Sequence, residues 1–184
     1  MSKDTDDESL VERYRDGDRA AFAALVRKYQ RPIYNAAYRV LGREEDASDV
    51  TQAVFLKVAE RLDQYDARYK FFSWIYRIAV NESLNLLKEN GREGPLEDEE
   101  ELPGPEGGGP EALVEDAQVS DRIQKALMGM RVSDRMVLTL RHFGDCSYQE
   151  MADIMGVEVK TVKSRLFEAR SRLRELLKDL RPVT

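Results

Sequence analysis

Basic and hydroxyl side chains are concentrated on one predicted helix near the C-terminus, where they could bind DNA. Residues 159–178 contain seven Lys or Arg and two Glu, a net charge of about +5 that suits contact with phosphates. At about 100° per residue, Lys160, Ser164 and Phe167 point away from the apolar stripe of this helix. Lys and Ser on its first turns could contact bases and phosphates in the major groove. The alternative is an ordinary amphipathic helix with a solvated basic face.

A short preceding helix and a tight turn are predicted to position this basic helix. Ser147 and Glu150 have the S-x-x-E spacing of a capping box, in which each side chain satisfies a free backbone N–H. Gly156 follows at a helix-ending position, where glycine adopts the left-handed conformation at little cost. Two helices joined in this way form a helix-turn-helix, whose second helix can enter the major groove. The apolar stripe of the second helix comprises Val162, Leu166, Ala169, Leu173, Leu176 and Leu180.

A second group of hydrogen-bonding side chains lies on a helix predicted for about residues 71–89. The face expected in the core comprises Phe71, Trp74, Ile75, Ile78 and Ala79. A separate polar line comprises Ser73, Arg77, Asn81, Asn85 and Lys88. Several of these side chains can pair with base edges or phosphates.

The polar turn before this helix combines aromatic rings with cations. These side chains are Tyr65, Arg68, Tyr69, Lys70 and Phe72. The combination suits single-stranded DNA, because every base has a face to stack on and a phosphate to neutralise. On composition alone a simpler interpretation is favoured, in which the rings pack the turn onto the bundle and the polar line is solvated. Trp74 in particular is expected in the core.

The composition argues against several functional classes. Cys146 and His142 are the only cysteine and histidine, so neither an intramolecular disulfide nor a four-ligand zinc site is expected. The sequence has no Gly-rich phosphate loop and no Ser/His/Asp set, so we expect no enzyme activity, no metal and no cofactor. The longest apolar runs are too short to span a membrane, and the acidic N-terminus is unlike a signal peptide. These features fit a cytoplasmic protein.

The net charge of −6 is unevenly distributed along the 184 residues. Residues 1–90 have a net charge of −1, residues 91–117 of −9, and residues 118–184 of +4. The acidic middle segment contains four of the six prolines and six of the eleven glycines. It has too few apolar residues to offset the entropy of ordering, so we expect a flexible acidic linker.

Helical periodicity dominates both sides of this linker, and sustained strand alternation is absent. The expected fold is all-α, with two small helical bundle domains and a C-terminal helix-turn-helix. Pro32 is expected to kink or split the second helix. Before the helix-turn-helix, the predicted helices cover about residues 8–15, 18–41, 44–62, 71–89, 118–130 and 133–143.

Three stretches in this order resemble the extracytoplasmic-function (ECF) sigma factors of bacterial RNA polymerase. Residues 45–62, EDASDVTQAVFLKVAERL, are similar to the main polymerase-binding helix of that family. Residues 71–87, FFSWIYRIAVNESLNLL, are similar to the helix that melts and reads the −10 promoter element. Residues 147–170, SYQEMADIMGVEVKTVKSRLFEAR, are similar to the helix-turn-helix that reads the −35 element. The resemblance covers nearly the whole chain.

The resemblance implies a role for specific positions. Asp46, Asp49, Gln52 and Phe55 lie where the family contacts the clamp helices of the polymerase β′ subunit. Ala53 replaces a glutamate that is usual there, which removes or shifts one contact. The −10 DNA-binding set is Tyr65, Arg68, Tyr69, Lys70, Phe72, Ser73, Arg77, Asn81 and Asn85. The −35 DNA-binding set is Lys160, Thr161, Lys163, Ser164, Arg165, Phe167 and Arg170. Glu168 stands where a basic residue is common.

The implied function is that of an alternative sigma factor, which recruits core polymerase to selected promoters and starts strand opening. The implied partners are the β′ clamp helices, the β flap, and promoter DNA both as a duplex and as the non-template single strand. The family is commonly held inactive by an anti-sigma factor, so such a partner is a further implication. Residues 1–90 would form the region 2-like domain, and residues 118–184 the region 4-like domain.

Two alternatives remain open on the residues alone. A helix-turn-helix regulator that binds duplex DNA without polymerase would account for the C-terminal module. It would leave residues 45–87 as unexplained core. A protein-only interaction adaptor would not bind promoter DNA at all.

Overall fold

The computed structural model describes residues 6–91 and 114–178, with side chains from residue 120 onward in the second range. Within these ranges the fold is all-α, which confirms the expected class. The helices are α1 (Asp7–Arg15), α2 (Arg19–Leu41), α3 (Glu44–Arg61), α4 (Phe71–Glu89), α5 (Val114–Met128), α6 (Val132–His142), α7 (Tyr148–Met155) and α8 (Val159–Leu176). A short 3₁₀ turn, Leu62–Gln64, extends α3.

The first four helices form an N-terminal bundle around α2. The Asp18 side chain accepts a hydrogen bond from the Ala20 N–H and caps α2, which ends at Gly42 in the left-handed conformation (φ 74°). Of the kink or split expected at Pro32, the split does not occur, because the helix runs unbroken across this residue. A proline removes one hydrogen bond, and packing of α2 against α1, α3 and α4 compensates for that loss.

Helices α5 to α8 form a C-terminal bundle that contains the helix-turn-helix. The predicted capping box is confirmed, since the Ser147 and Glu150 side chains both bond the reciprocal backbone N–H groups. Gly156 ends α7 at φ 64°. On α8, Val162, Leu166 and Ala169 are fully buried as predicted.

Two boundaries of the C-terminal bundle differ from the prediction. Helix α5 begins at Val114 and not near residue 118, because the last helix-breaking residue of the acidic segment is Pro110. The remainder of the predicted linker, residues 92–113, lies outside the described residues. The buried stripe of α8 also ends earlier than expected, since Leu173 is half-buried and Leu176 is exposed. Leu180, the last residue of the predicted stripe, lies outside the described residues.

The two bundles have separate cores that meet along α4. Phe71, Ile75 and Ala79 belong to the core of the N-terminal bundle. Val80 and Leu84, on another side of the same helix, pack into the core of the C-terminal bundle. The position of α4 therefore determines how the two bundles face each other.

The capping box provides a test of local stability. We expect Ser147→Ala to lower the free energy of unfolding by about 1 kcal/mol, because the substitution leaves an N–H at the start of α7 without its partner. Urea denaturation followed by circular dichroism measures this change. Ser171→Ala is the matched control, because Ser171 is exposed in the interior of α8 and should change stability by less than about 0.5 kcal/mol. Equal effects of the two substitutions would contradict a capping role.

Candidate nucleic-acid and protein interfaces

The outer face of α3 presents an exposed strip of mixed chemistry. Asp49 and Gln52 are exposed, and Leu56 follows one turn later with 67% of its surface accessible. Asp46 and Phe55 are half-buried on the flank of this strip. The opposite face of α3, which packs into the N-terminal core, consists of Ala47, Val50, Val54 and Val58. This strip offers a protein partner hydrogen-bonding groups on Asp49 and Gln52 and exposed apolar surface on Leu56.

Leu56 was not among the residues singled out from the sequence. Its exposure could have been predicted, because Leu56 lies four residues after Gln52 and two after Val54. It therefore falls outside the buried valine stripe.

The turn before α4 is held by hydrogen bonds from the N-terminal bundle. Arg15 Nη2 donates to the carbonyl oxygens of Leu62 (2.8 Å) and Tyr65 (3.0 Å). The Tyr65 hydroxyl donates to the carbonyl of Tyr69 at 2.6 Å. These bonds present the Tyr69 ring to solvent, with 57% of its surface exposed. Arg68 is exposed beside it, and its hydrogen bond to Asp66 lowers the pKa of that carboxyl.

Two residues predicted to contact DNA lie inside the N-terminal core. Tyr65 and Ser73 are each only 5% exposed. The Tyr65 ring packs edge-on against Phe71, with centroids 5.3 Å apart, and against Trp74 at 5.4 Å. Burial corrects the expectation of direct contact for these two residues, because neither can reach a ligand without unpacking the turn. Tyr65 instead supports the turn that carries Tyr69.

The remaining aromatic residues of this region divide between core and surface. Trp74 is half-buried against the core, as the composition favoured. Phe72 is also half-buried, with its ring 4.6 Å from that of Tyr76. Only Tyr69 of the predicted −10 aromatics is therefore a free platform for stacking.

The polar line on α4 continues beyond the turn as predicted, apart from Ser73. Arg77, Asn85 and Lys88 are exposed, and Asn81 is half-buried. Asn81, Asn85 and Lys88 line a cleft of about 560 Å³ together with Lys57 of α3. Lys57 Nζ is paired with Glu82 of α4 at 2.5 Å, so part of the positive charge at this cleft is neutralised.

The outer face of α8 is basic and carries one exposed aromatic ring. Lys160, Lys163, Ser164 and Arg170 are exposed, and Phe167 has 73% of its surface accessible. Thr161 and Arg165 are half-buried at the edges of this face. The arrangement follows the predicted one, because burial of Val162, Leu166 and Ala169 sets the rotation of the helix.

The sole cysteine and histidine do not form a ligand set. Cys146 is fully buried, and desolvation raises the pKa of its thiol to about 12. His142 Nε2 accepts a hydrogen bond from Arg170 Nε at 3.3 Å. Burial, with Arg170 and Arg141 nearby, lowers the pKa of His142. Among residues 6–91 and 114–178, no group of three potential metal ligands comes together.

Comparison with known proteins matches both bundles to one family. Residues 25–93 match the family model Sigma-70 region 2, and residues 120–173 match the model Sigma-70, region 4. The chain is 35% identical over 179 residues to the ECF RNA polymerase sigma-E factor of Escherichia coli (strain K12). That alignment covers 92% of this chain and 93% of the relative. The chain belongs to the sigma-70 family, whose members are regulatory and not catalytic.

Further similarities place it within one group of that family. The RNA polymerase sigma-H factor of Pseudomonas aeruginosa (strain PAO1) is 33% identical over 183 residues, covering 95% of each chain. The structure of CnrH in complex with the cytosolic domain of CnrY has a TM-score of 0.63 at 25% identity. It covers 95% of this chain and 98% of the CnrH chain. The protein is an ECF sigma factor, an alternative sigma factor that directs core RNA polymerase to specific promoters.

This assignment does not favour the two alternatives left open by the residues. A helix-turn-helix regulator without polymerase contact leaves the match over residues 25–93 unexplained. An adaptor that binds only protein leaves the match to region 4 unexplained. In the described part of the chain, none of the helices is long and apolar enough to cross a membrane.

The support of the turn before α4 can be tested through Arg15. We expect Arg15→Ala to accelerate hydrogen exchange of the amides of residues 65–70, because two charge-assisted bonds to this turn are lost. The loss of global stability should be about 1 kcal/mol. Hydrogen exchange followed by mass spectrometry measures both effects. Arg31→Ala, at an exposed position on α2, should leave these amides unchanged, and unchanged exchange in Arg15→Ala itself would contradict the support.

Proposed function

We propose that the surfaces on α3, α4 and α8 have separate roles in promoter recognition and opening. Residues 1–90 form the region 2-like domain, residues 91–117 connect the domains, and residues 118–184 form the region 4-like domain. The strip on α3 binds the β′ clamp helices, while the turn before α4 and the polar line on α4 bind the −10 element. The basic face of α8 binds the −35 duplex, and the region 4-like domain also contacts the β flap.

The main structural support for this proposal is the composition of the strip on α3. Asp49 and Gln52 lie three residues apart on an exposed face, within reach of a single helical partner. A carboxylate and an amide can accept hydrogen bonds from arginine side chains. Leu56 adds exposed apolar surface, whose removal from water would favour binding of a partner helix. Ala53, between them, leaves room for the partner side chains.

Strand opening is explained by differential binding of unpaired bases. Unpairing costs a few kcal/mol per base, and stacking on an aromatic ring returns roughly 1–3 kcal/mol. Tyr69 supplies the exposed ring. Arg68, Lys70 and Arg77 supply exposed cations nearby for the phosphates. The polymerase-bound factor thus stabilises the open strand without any bond-making chemistry, and we propose no enzymatic activity.

Recognition of the −35 element is assigned to the first turns of α8. Lys160 and Lys163 supply phosphate contacts, and Ser164 offers both a donor and an acceptor to a base edge. The exposed Phe167 ring suits apolar contact with a thymine methyl group. Arg170 is exposed on the same face, and Thr161 and Arg165 lie half-buried at its edges.

The cellular setting and a protein partner belong to the same proposal. Polymerase and promoter DNA place the factor in the bacterial cytoplasm. The structural relative CnrH was solved in complex with the cytosolic domain of CnrY. By analogy, we propose that an anti-sigma protein holds this factor until an inducing signal arrives. In vitro transcription of a genomic fragment library with core polymerase tests the function, since transcripts should begin downstream of one shared two-part motif.

Polymerase binding tests the role of the strip on α3. We expect Asp49→Arg to weaken the affinity for core polymerase by at least about tenfold, because a cation replaces the carboxylate facing the partner. Fluorescence anisotropy of labelled factor titrated with core polymerase gives the Kd. Glu12→Arg on α1 makes the same charge change at another exposed site and should leave the Kd unchanged. Equal affinities of the parent protein and Asp49→Arg would disprove this assignment.

Capture of an unpaired base tests the role of Tyr69. We expect Tyr69→Ala to weaken binding of the holoenzyme to a −10 non-template oligonucleotide by roughly 1–3 kcal/mol, because one stacking surface is lost. The oligonucleotide is taken from a promoter found in the transcription assay, and its binding is measured by anisotropy. Tyr69→Phe keeps the ring and should bind like the parent protein. Parent-like binding by Tyr69→Ala would remove this residue from the −10 site.

A further inference from the structure

One carboxylate lies on the outward face of α8, among the side chains assigned to the −35 element. Glu168 is exposed and directly follows Phe167. Ser164 lies two residues from both Val162 and Leu166, so it points directly away from the buried stripe. Glu168 comes four residues after Ser164 and is rotated from it by only about 40°. The orientation of α8 that brings Ser164 and Phe167 to DNA therefore brings Glu168 there as well.

Glu168 points outward more directly than three of the cations on the same helix. Lys163 and Arg165 are each one residue from Ser164, which is a rotation of about 100°. Arg170 lies six residues after Ser164, which is a rotation of about 120°. Side chains at these angles suit contacts with the phosphates on either side of the groove. A side chain within about 40° of Ser164 instead faces the floor of the groove, where the base edges lie.

The carboxylate of Glu168 is not neutralised by the protein. In the part of the chain that the structure describes, no ion pair or hydrogen bond involves its side chain. The other glutamate of α8 behaves differently, since Glu175 pairs with Lys178. The two glutamates of one basic helix therefore differ in a way that exposure alone does not explain, because both are exposed.

The arginine best placed to pair with Glu168 is held by another residue. Arg172 lies one turn after Glu168, in the i, i+4 order that favours an ion pair along a helix. Its Nη1 instead donates at 3.0 Å to Oδ2 of Asp134 in α6, a buried carboxylate that is costly to leave unpaired. Arg165, three residues before Glu168, is half-buried and lines the cleft on the side of α4. Glu168 is therefore left free to accept a hydrogen bond from DNA.

A free carboxylate that faces DNA has one favourable kind of partner. Phosphates repel it, and an ionised carboxylate accepts hydrogen bonds but cannot donate them. The hydrogen-bond donors in the major groove are the amino groups of adenine and cytosine. The N6 donor of adenine lies beside the N7 acceptor of the same base, which repels a carboxylate, whereas cytosine presents only its N4 donor. Cytosine is therefore the base that this side chain fits best.

We propose that Glu168 determines specificity at one position of the −35 element by accepting a hydrogen bond from N4 of a cytosine. The ion pair between Arg172 and Asp134 keeps Glu168 available for this contact. Because phosphates repel the same carboxylate, the contact contributes selectivity more than affinity. This inference rests on the proposed function, in which α8 reads the −35 duplex, and it adds the base that one side chain selects.

Exchange of the carboxylate for an amide tests the proposal. Holoenzyme assembled from core polymerase and the full chain is bound to duplex promoter fragments that keep the −10 motif found by transcription and randomise the −35 motif. Sequencing of the bound fraction gives the base preference at each position. The parent protein should prefer cytosine at one −35 position by about fivefold or more. Glu168→Gln should prefer adenine at that position, because an amide accepts from N6 and donates to N7, and should keep the other preferences.

Glu175→Gln is the matched control, because it removes the same charge from an exposed position further along α8. It should leave the base preference at every position unchanged. Parent-like preferences in Glu168→Gln, or the same change in both variants, would overturn the proposal. A parent holoenzyme without any −35 preference would instead overturn the proposed function of α8, and this inference with it.

A charge reversal separates contact with a base from proximity to a phosphate. We expect Glu168→Arg to prefer guanine at the same −35 position, because a guanidinium pairs with O6 and N7 of that base. The binding assay with randomised fragments measures this preference, and binding at several salt concentrations gives the salt dependence. A steeper salt dependence with the base preferences of the parent protein would place this residue beside a phosphate and overturn the proposal.

Discussion

The burial of α4 on two sides is the constraint on which the rest of the structure depends. Phe71 and Ile75 pack into the N-terminal core, while Val80 packs into the C-terminal core. Only a narrow face of this helix is exposed to solvent, and that face carries the polar line that includes Arg77 and Asn85. Because every side chain on a helix has a direction set by 100° steps, the two cores also determine which side chains can meet DNA.

The same reasoning explains the surfaces on α3 and α8. On α3, the buried valines point toward α2 and α4, so Asp49 and Leu56 point outward. On α8, burial of Val162 and Leu166 turns Lys163 and Phe167 outward. Burial of the apolar side chains thus determines which polar side chains are exposed on all three surfaces.

The distribution of charge along the chain is consistent with DNA binding by a protein that is acidic overall. The net charge is −6, yet the residues around α8 are strongly basic. Ten of the 35 acidic residues lie in the segment of residues 91–117, separate from the helices that we assign to DNA binding. Local fields decay over about 10 Å at moderate ionic strength, so the sign of a surface depends on its own residues more than on the net charge.

The sequence by itself determined the all-α class, several helix caps and the rotation of α8, because these features depend on residues within a few positions of one another. The capping box at Ser147 and the buried face of α8 are examples. Only the tertiary structure decided that Tyr65 and Ser73 are buried, since burial depends on neighbours from other parts of the chain as well as on helical periodicity. The contacts between the two bundles could not be predicted either; Lys70 and Asp145, for example, form an ion pair although they are 75 residues apart. Local periodicity does not predict such pairs, because they depend on how the N-terminal and C-terminal bundles pack against each other.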